Sequence, residues 1–351
     1  MKKIVLLAFA LIASVVTFAQ VPMATLDHND TITVFYSDQA LKRAYEAAVD
    51  GDIITLSEGT FDAYGFHIAK NNLTIRGAGM FYDSVTGTVP TILPNLLIVD
   101  NGTSGCVFEG FYCNILHFKG ASNCRINRCR ANVLNDWNEY SVYSSEGHVF
   151  NSCVFHSAHL QYGQIRNSNF YNCIFACDND EDCDAFALGG RNSFQQGDQN
   201  RLINCYVQVL NCDEVDNEAE FYNCIIYSSR GYSTSNIASH NCIGVRYNNE
   251  GFLWDTTSST NIANNLINLP MDSVFVNFDG TYHPGVDNLE LTPAAQAILG
   301  YDGTQIGIYG GQHPFNPHLN THTPIIGHVT VPHSSNAQGR LNVDVEVITQ
   351  P

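Results

Sequence analysis

Residues 172–175 read "NCIF", and variants of those four letters return as "GCVF" at 105, "NCRI" at 123, "SCVF" at 152, "NCYV" at 204, "NCII" at 223 and "NCIG" at 241. The Cys-to-Cys steps are 18, 29, 20, 32, 19 and 18 residues, so four units of similar length alternate with two that are longer by an insertion. Side chains on a strand alternate between faces. If each Cys points inward, the residue two later must be apolar too, and these are Phe108, Ile126, Phe155, Phe175, Val207 and Ile226, with Gly244 closing the series. The residue three before the Cys is apolar in the central units as well (Phe150, Phe170, Leu202, Phe221). Asn, the usual residue before the Cys, tolerates the left-handed backbone of a bend. Each unit therefore reads as strand, bend, strand. A unit of this size cannot bury its own apolar face, so stacking must supply the core. The pattern predicts an all-β parallel solenoid. A leucine-rich repeat has a similar period, but its regular Leu framework is absent.

In this register Cys106, Cys124, Cys153, Cys173, Cys205, Cys224 and Cys242 form one inward column. Neighbouring parallel strands lie about 4.8 Å apart with parallel side-chain vectors, a poor disulfide geometry, so free buried thiols are expected. The next residues, Val107, Arg125, Val154, Ile174, Tyr206, Ile225 and Ile243, point outward. An apolar outward stripe needs cover. An insertion or the C-terminal segment is expected to pack on it; the other reading is a partner-binding surface.

The chain opens "MKKIVLLAFALIASVVTFAQ", which reads as a signal peptide over residues 1–19. Its apolar run is shorter than the roughly 20 residues a spanning helix needs. Export is expected, to the periplasm, cell surface or medium, with no membrane span. The formal charge is −18, and becomes −20 without Lys2 and Lys3. That balance argues against nucleic acid as a partner. An anionic polysaccharide would need a local basic patch or bridging cations.

Within "YSDQALKRAYEAAVDGD", Leu41, Ala44, Tyr45 and Ala48 share one helical face, with Ser37 as candidate N-cap and Gly51 as the stop. A helix over about 37–50 would cover the open end of the solenoid. The order "ALKRAYEAAVDGDIITLSEGTF" then "NNLTIRGAG" resembles the N-terminal cap and first coils of secreted right-handed parallel β-helix proteins, the pectate lyase-like superfamily. The segment "LTPAAQAILGYDGTQIGIYGGQHPF" resembles the closing segment of exported β-helix proteins of Bacteroidota-type bacteria. The resemblance spans roughly residues 32 to 317. It implies a right-handed parallel β-helix domain over 20–317 with a short capping α-helix, on a fold that hosts lyases, hydrolases, isomerases, adhesins and scaffolds. Residues 318–351 read as a linker and a β-rich tail, with "PIIGHVTVP" and "GRLNVDVEVITQP" as two strands.

If the chain is an enzyme, the resemblance implies a polysaccharide lyase or glycoside hydrolase. Neither the Trp-Ile-Asp-His and Arg-x-Pro-x-x-Arg runs of pectate lyases nor the Asn-Thr-Asp, Asp-Asp and Gly-His-Gly signatures of pectin hydrolases occur. The nearest approach to the last is "EGHV", where His148 reads as a hydrogen-bonded coil residue. Two insertions, about 131–148 and 176–200, carry the remaining candidates. In "CDNDEDCD" (177–184), Asp178, Asp180 and Asp182 match the first EF-hand positions, but the required Gly is Cys183 and the bidentate Glu is Gly189. A solvated loop, another oxygen-ligated calcium site and a catalytic cluster stay open there. Trp137, Tyr140 and Tyr143 suit sugar binding, while Arg191, His156 and Asp184 are candidate proton-transfer groups. The expected function is an exported β-helix that binds a polysaccharide on the face bearing the insertions, with cleavage an open question. The alternative is a noncatalytic cell-surface or adhesion scaffold that engages a protein partner.

Overall fold

Short strands joined at residues of positive φ build the coils. The computed structural model describes residues 21–62, 65–83, 87–135, 144–159, 165–176, 186–189, 200–213, 219–230, 238–245, 262–316, 325–330 and 344–348. Their fold is an all-β, right-handed parallel β-helix with a short helix near its N-terminal end. Most coils give one strand to each of two 12-stranded sheets, and the long coil from 173 to 205 gives two, Ile174–Phe175 and Phe186–Gly189, to the second. The first sheet stacks Thr74–Arg76, Val107–Glu109, Arg125–Asn127, Val149–Asn151, Asn169–Tyr171 and their successors in parallel. Tyr112–Phe118, Arg130–Leu134, Val154–His159 and Tyr206–Asp213 belong to the second.

Period-two alternation sets the core. The central residues of the first-sheet strands, Phe108, Ile126, Phe150, Phe170, Leu202 and Phe221, stand in register and are fully buried. Phe150 and Phe170 stack with centroids 4.4 Å apart at 7°, because adjacent coils place like side chains one strand spacing apart. Truncating a buried Phe of this kind costs about 3–5 kcal/mol.

The bend residues adopt the expected backbone. Between the sheets φ is 49° at Arg128, 50° at Ser152, 51° at Asn172, 55° at Asn204, 53° at Asn223 and 54° at Asn241. From Arg128 to Asn223 the turned amides donate to the next coil, as from Ser152 to the Tyr171 carbonyl (2.9 Å) and from Asn204 to that of Tyr222 (2.9 Å). The cysteines, however, do not form one column. Cys129, Cys153, Cys173, Cys205, Cys224 and Cys242 follow these bends and lead into the second sheet, whereas Cys106 and Cys124 lead into the first, after Gly105 (φ 70°) and Asn123 (φ 54°). That second corner continues with His148 and Ser168, after Gly147 (φ 72°) and Asn167 (φ 48°). Both corners use the same local bend chemistry, so the four-letter pattern cannot tell them apart. The 29-residue step joined unlike corners; the like step runs 24 residues, from 129 to 153.

The cysteines of both columns, together with Cys113, are free and buried. The Cys205 and Cys224 amides donate to the Sγ atoms of Cys224 and Cys242, both at 3.4 Å, while Cys205 Sγ donates to the Phe170 carbonyl at 3.3 Å. The column is thus a hydrogen-bonded ladder, and burial pushes the thiols of Cys173, Cys224 and Cys242 up, holding them protonated.

The helix runs Ala40–Ala47 and buries Ala40, Leu41 and Ala44 in the core. It is shorter than 37–50. Ser37, at φ 119°, lies outside it, and its Oγ accepts from the Gln39 amide (3.2 Å), so Ser37 is not the N-cap.

The outward stripe splits with the corners. Val154, Ile174, Tyr206, Ile225 and Ile243, on the second sheet, are buried under Phe275, Tyr282, Leu291, Ile306 and Ile308 of the segment 271–315. This C-terminal strap is the expected cover. Val107 and Arg125 lie on the first sheet; Val107 is only half-buried and Arg125 exposed. Asn172 Nδ2 donates to the carbonyls of Ile308 (2.8 Å) and Gly310 (2.9 Å), and the Gly307 amide to that of Asn223 (2.8 Å). Fit is tight: a Cβ at Gly300 would stand 2.4 Å from Asn223 Cγ. In the tail, Ile325–Thr330 and Asp344–Ile348 pair antiparallel.

Candidate functional site

Of the residues expected to carry function, only His156 is among those described. It projects outward from Val154–His159, half-buried, beside Asn132, whose Nδ2 donates to Asn114 Oδ1 at 2.9 Å. Arg191, Asp184, Trp137, Tyr140, Tyr143 and the calcium candidates Asp178, Asp180 and Asp182 lie outside the described residues. No group of three or more His, Cys, Asp or Glu side chains suited to a metal occurs among the described residues. Within the two stretches read as insertions, residues 131–134 complete a second-sheet strand and Phe186–Gly189 forms another, pairing with both Val154–His159 and Tyr206–Asp213. The chain leaves the second sheet at Asn135 and at Gly189; the next described strands are Ser145–Glu146, which pairs with Ile165–Arg166 in a separate two-stranded sheet, and Asn200–Ile203 of the first sheet.

His148 is buried, and its Nδ1 accepts from the Cys124 amide at 3.2 Å. Its ring lies 4.4 Å from that of Phe118. Burial pushes its pKa down to about 3, so it is a neutral structural residue, as its sequence context suggests.

The arrangement with chemical reach is the outward face of the first sheet. With the central residue of each three-residue strand in the core, the first and third point to solvent. The Arg76 and Arg201 side chains keep 48% and 51% of their surface, so this face is open. Glu109 is held between Arg76 (Nε to Oε2, 3.3 Å) and Arg128. Two coils carry an amide ladder, with Asn151 Nδ2 donating to Asn127 Oδ1 at 3.0 Å. Further along, Arg201 Nε donates to Glu220 Oε2 (2.7 Å), which also accepts from the Tyr222 hydroxyl (3.3 Å). Burial, then the Glu220 charge, raises the Tyr222 pKa and keeps the phenol protonated. Tyr222 stacks on His240 (centroids 5.0 Å, 14°) and meets the exposed Tyr301 edge-on at 5.7 Å.

Four arginines face two glutamates here in a chain whose net charge is −18. Arg76 and Arg128 share Glu109, and Arg201 has Glu220. The guanidinium of Arg125 makes no ion pair or side-chain hydrogen bond among the described residues. Its lateral neighbours in the sheet are Val107 and Val149. Among the described residues it is an uncompensated cation on the exposed face, two positions from Asn127 of the amide ladder.

Sequence alone hides this face, because the four-letter pattern places Arg125 in the apolar stripe. Its discordance there, a charge among Val, Ile and Tyr, was the available signal. No family model, no curated protein and no solved structure matches the chain.

Proposed function

We propose that this chain is an exported β-helix protein of the pectate lyase-like kind that binds an anionic polysaccharide along the open face of the first sheet. The observation that carries the reading is the Arg125 guanidinium, unpaired among the described residues, set beside Asn127 and Asn151 and on the same sheet as the Tyr222–His240 stack. A guanidinium presents a planar fork that matches carboxylate or sulfate in two hydrogen bonds. Amides take up hydroxyls, and the aromatic stack offers an apolar platform to the face of a sugar ring. Local positive charge on an acidic molecule also selects the sign of the ligand, since the remaining surface repels polyanions. Calcium at Asp178, Asp180 and Asp182 is a second source of positive charge in the same reading.

Affinity electrophoresis against polyuronates, sulfated glycans and neutral glucans, with and without calcium, tests this. Retention by the anionic polymers, weakening as salt is raised and lost in Arg125→Ala, is the expected result. Equal mobility in every gel would overturn it. Absorbance of unsaturated ends in the same mixtures reports cleavage.

A further inference from the structure

The sheet ends differ in how they are protected. Three are short: Gly59–Thr60 and Ile262–Ala263 have two residues each and Leu266–Leu269 has four. The fourth is the six-residue strand Thr31–Tyr36, outermost in the first sheet. It reads "TITVFY", with no charge, Pro or Gly, all residues that favour strands. Natural edges are blunted by shortness, charge, Pro or a bulge, and this strand has none of these. Ile32, Val34 and Tyr36 keep 67%, 41% and 60% of their surface.

The strand is also held ready. A two-residue turn with positive φ at Asn29 (49°) and Asp30 (61°) joins it to Met23–His28, the backbone of a tight hairpin. His28 Nδ1 bonds Asp52 Oδ1 at 2.8 Å, tying the turn to the first coil, and Arg43 of the helix lies over Phe35 at 5.5 Å. The Ser37 amide donates inward to the Pro22 carbonyl (2.9 Å). Alternation then turns the amides and carbonyls of Ile32, Val34 and Tyr36 to the free edge.

We infer that Thr31–Tyr36 pairs with the same strand of a second copy of this chain, antiparallel about a two-fold axis at Val34. An axis there opposes Val34 to Val34 and Ile32 to Tyr36 of the other copy, twice, with two hydrogen bonds at each pair. All three exposed apolar side chains then meet on one face as β-branched and aromatic cross-strand pairs, the favourable kind. The absence of charge lets the strand oppose itself without repulsion. A closed two-fold contact uses the edge up, so assembly stops at a dimer.

Sedimentation of the full exported chain over a range of concentrations tests this, together with Val34→Lys, Val34→Glu, their mixture, and Val286→Lys at a strap residue that is 81% exposed. The expected results are a dimer for the parent chain and V286K, monomers for V34K and V34E, and a heterodimer restored on mixing them, where opposite charges meet at the axis. Hydrogen exchange at Ile32, Val34 and Tyr36 should slow only in the dimer. A monomer at every concentration overturns the proposal. So does a dimer indifferent to V34K, and so does exchange protection in the monomer, which would mean that another segment of this chain occupies the edge.

Discussion

One coil plan produces two faces of opposite character. At the corner leading into the second sheet the buried column is nearly all thiol, and the outward residues beyond it (Val154, Ile174, Tyr206, Ile225, Ile243) are sealed under the strap. At the corner leading into the first sheet the buried column mixes Cys106 and Cys124 with His148 and Ser168, and the face beyond it stays open, with arginines, amides and aromatics. Equal backbones thus carry unequal surfaces. Where the strap covers the sheet, apolar side chains stabilise; where side chains stay exposed, as at Arg76 and Arg201, charged groups occupy the surface.

The largest expected effect tests whether the covered face is a true second core. Tyr206→Ala should cost about 3–5 kcal/mol in chemical denaturation, whereas Tyr171→Ala on the open face should cost less than about 1 kcal/mol. Equal losses would erase the distinction between the faces. Next comes the polar corner. The His148 pKa is about 3 folded against a model-peptide value of 6.5, so the unfolded chain takes up a proton first. Stability from this group is complete above about pH 6.5 and falls as pH drops toward 3, by about 1.4 kcal/mol per unit. Denaturation midpoints across that range should lose this slope in His148→Phe, and an unchanged slope would remove His148 as its cause.

A smaller effect compares two corner and sheet amides. Asn172→Ala strips both strap carbonyls of their donor and should cost about 1–3 kcal/mol. Asn151→Ala, which loses one part-buried bond to Asn127, should cost less than about 1 kcal/mol. Smallest of all, Arg125→Ala should change stability by no more than about 0.5 kcal/mol while abolishing retention by anionic polymers. A stability loss as large as that of Asn172→Ala would make Arg125 a structural residue.

Much of this architecture is legible in the chain, and the illegible parts share a cause. The inward positions of Phe108, Phe155 and Phe175, the left-handed Asn bends and the free thiols all follow from period-two alternation and the conformational freedom of Asn, which act over a few residues. The need for cover over Ile174 and Ile225 was equally visible. The error lay in joining Cys124 to Cys153. Two corners of similar local chemistry lie a strand apart in each coil, and only register between coils distinguishes them. The open arginine face was hidden by that same misalignment, and of the candidate site residues only His156 falls among those described.

By itself, then, the amino-acid order determined the repeat, the β-helix and the requirement that an apolar stripe be buried, because each is a short-range consequence of alternation and bend geometry. Only the tertiary structure decided which stripe is covered, since the covering residues, such as Phe275 and Ile308, come from a strap that begins 28 positions after the last stripe residue, from 243 to 271. Whether Arg125 meets solvent or a second layer is likewise a matter of where a distant segment returns. Local preference sets the coil; long-range packing sets what each of its faces is left to do.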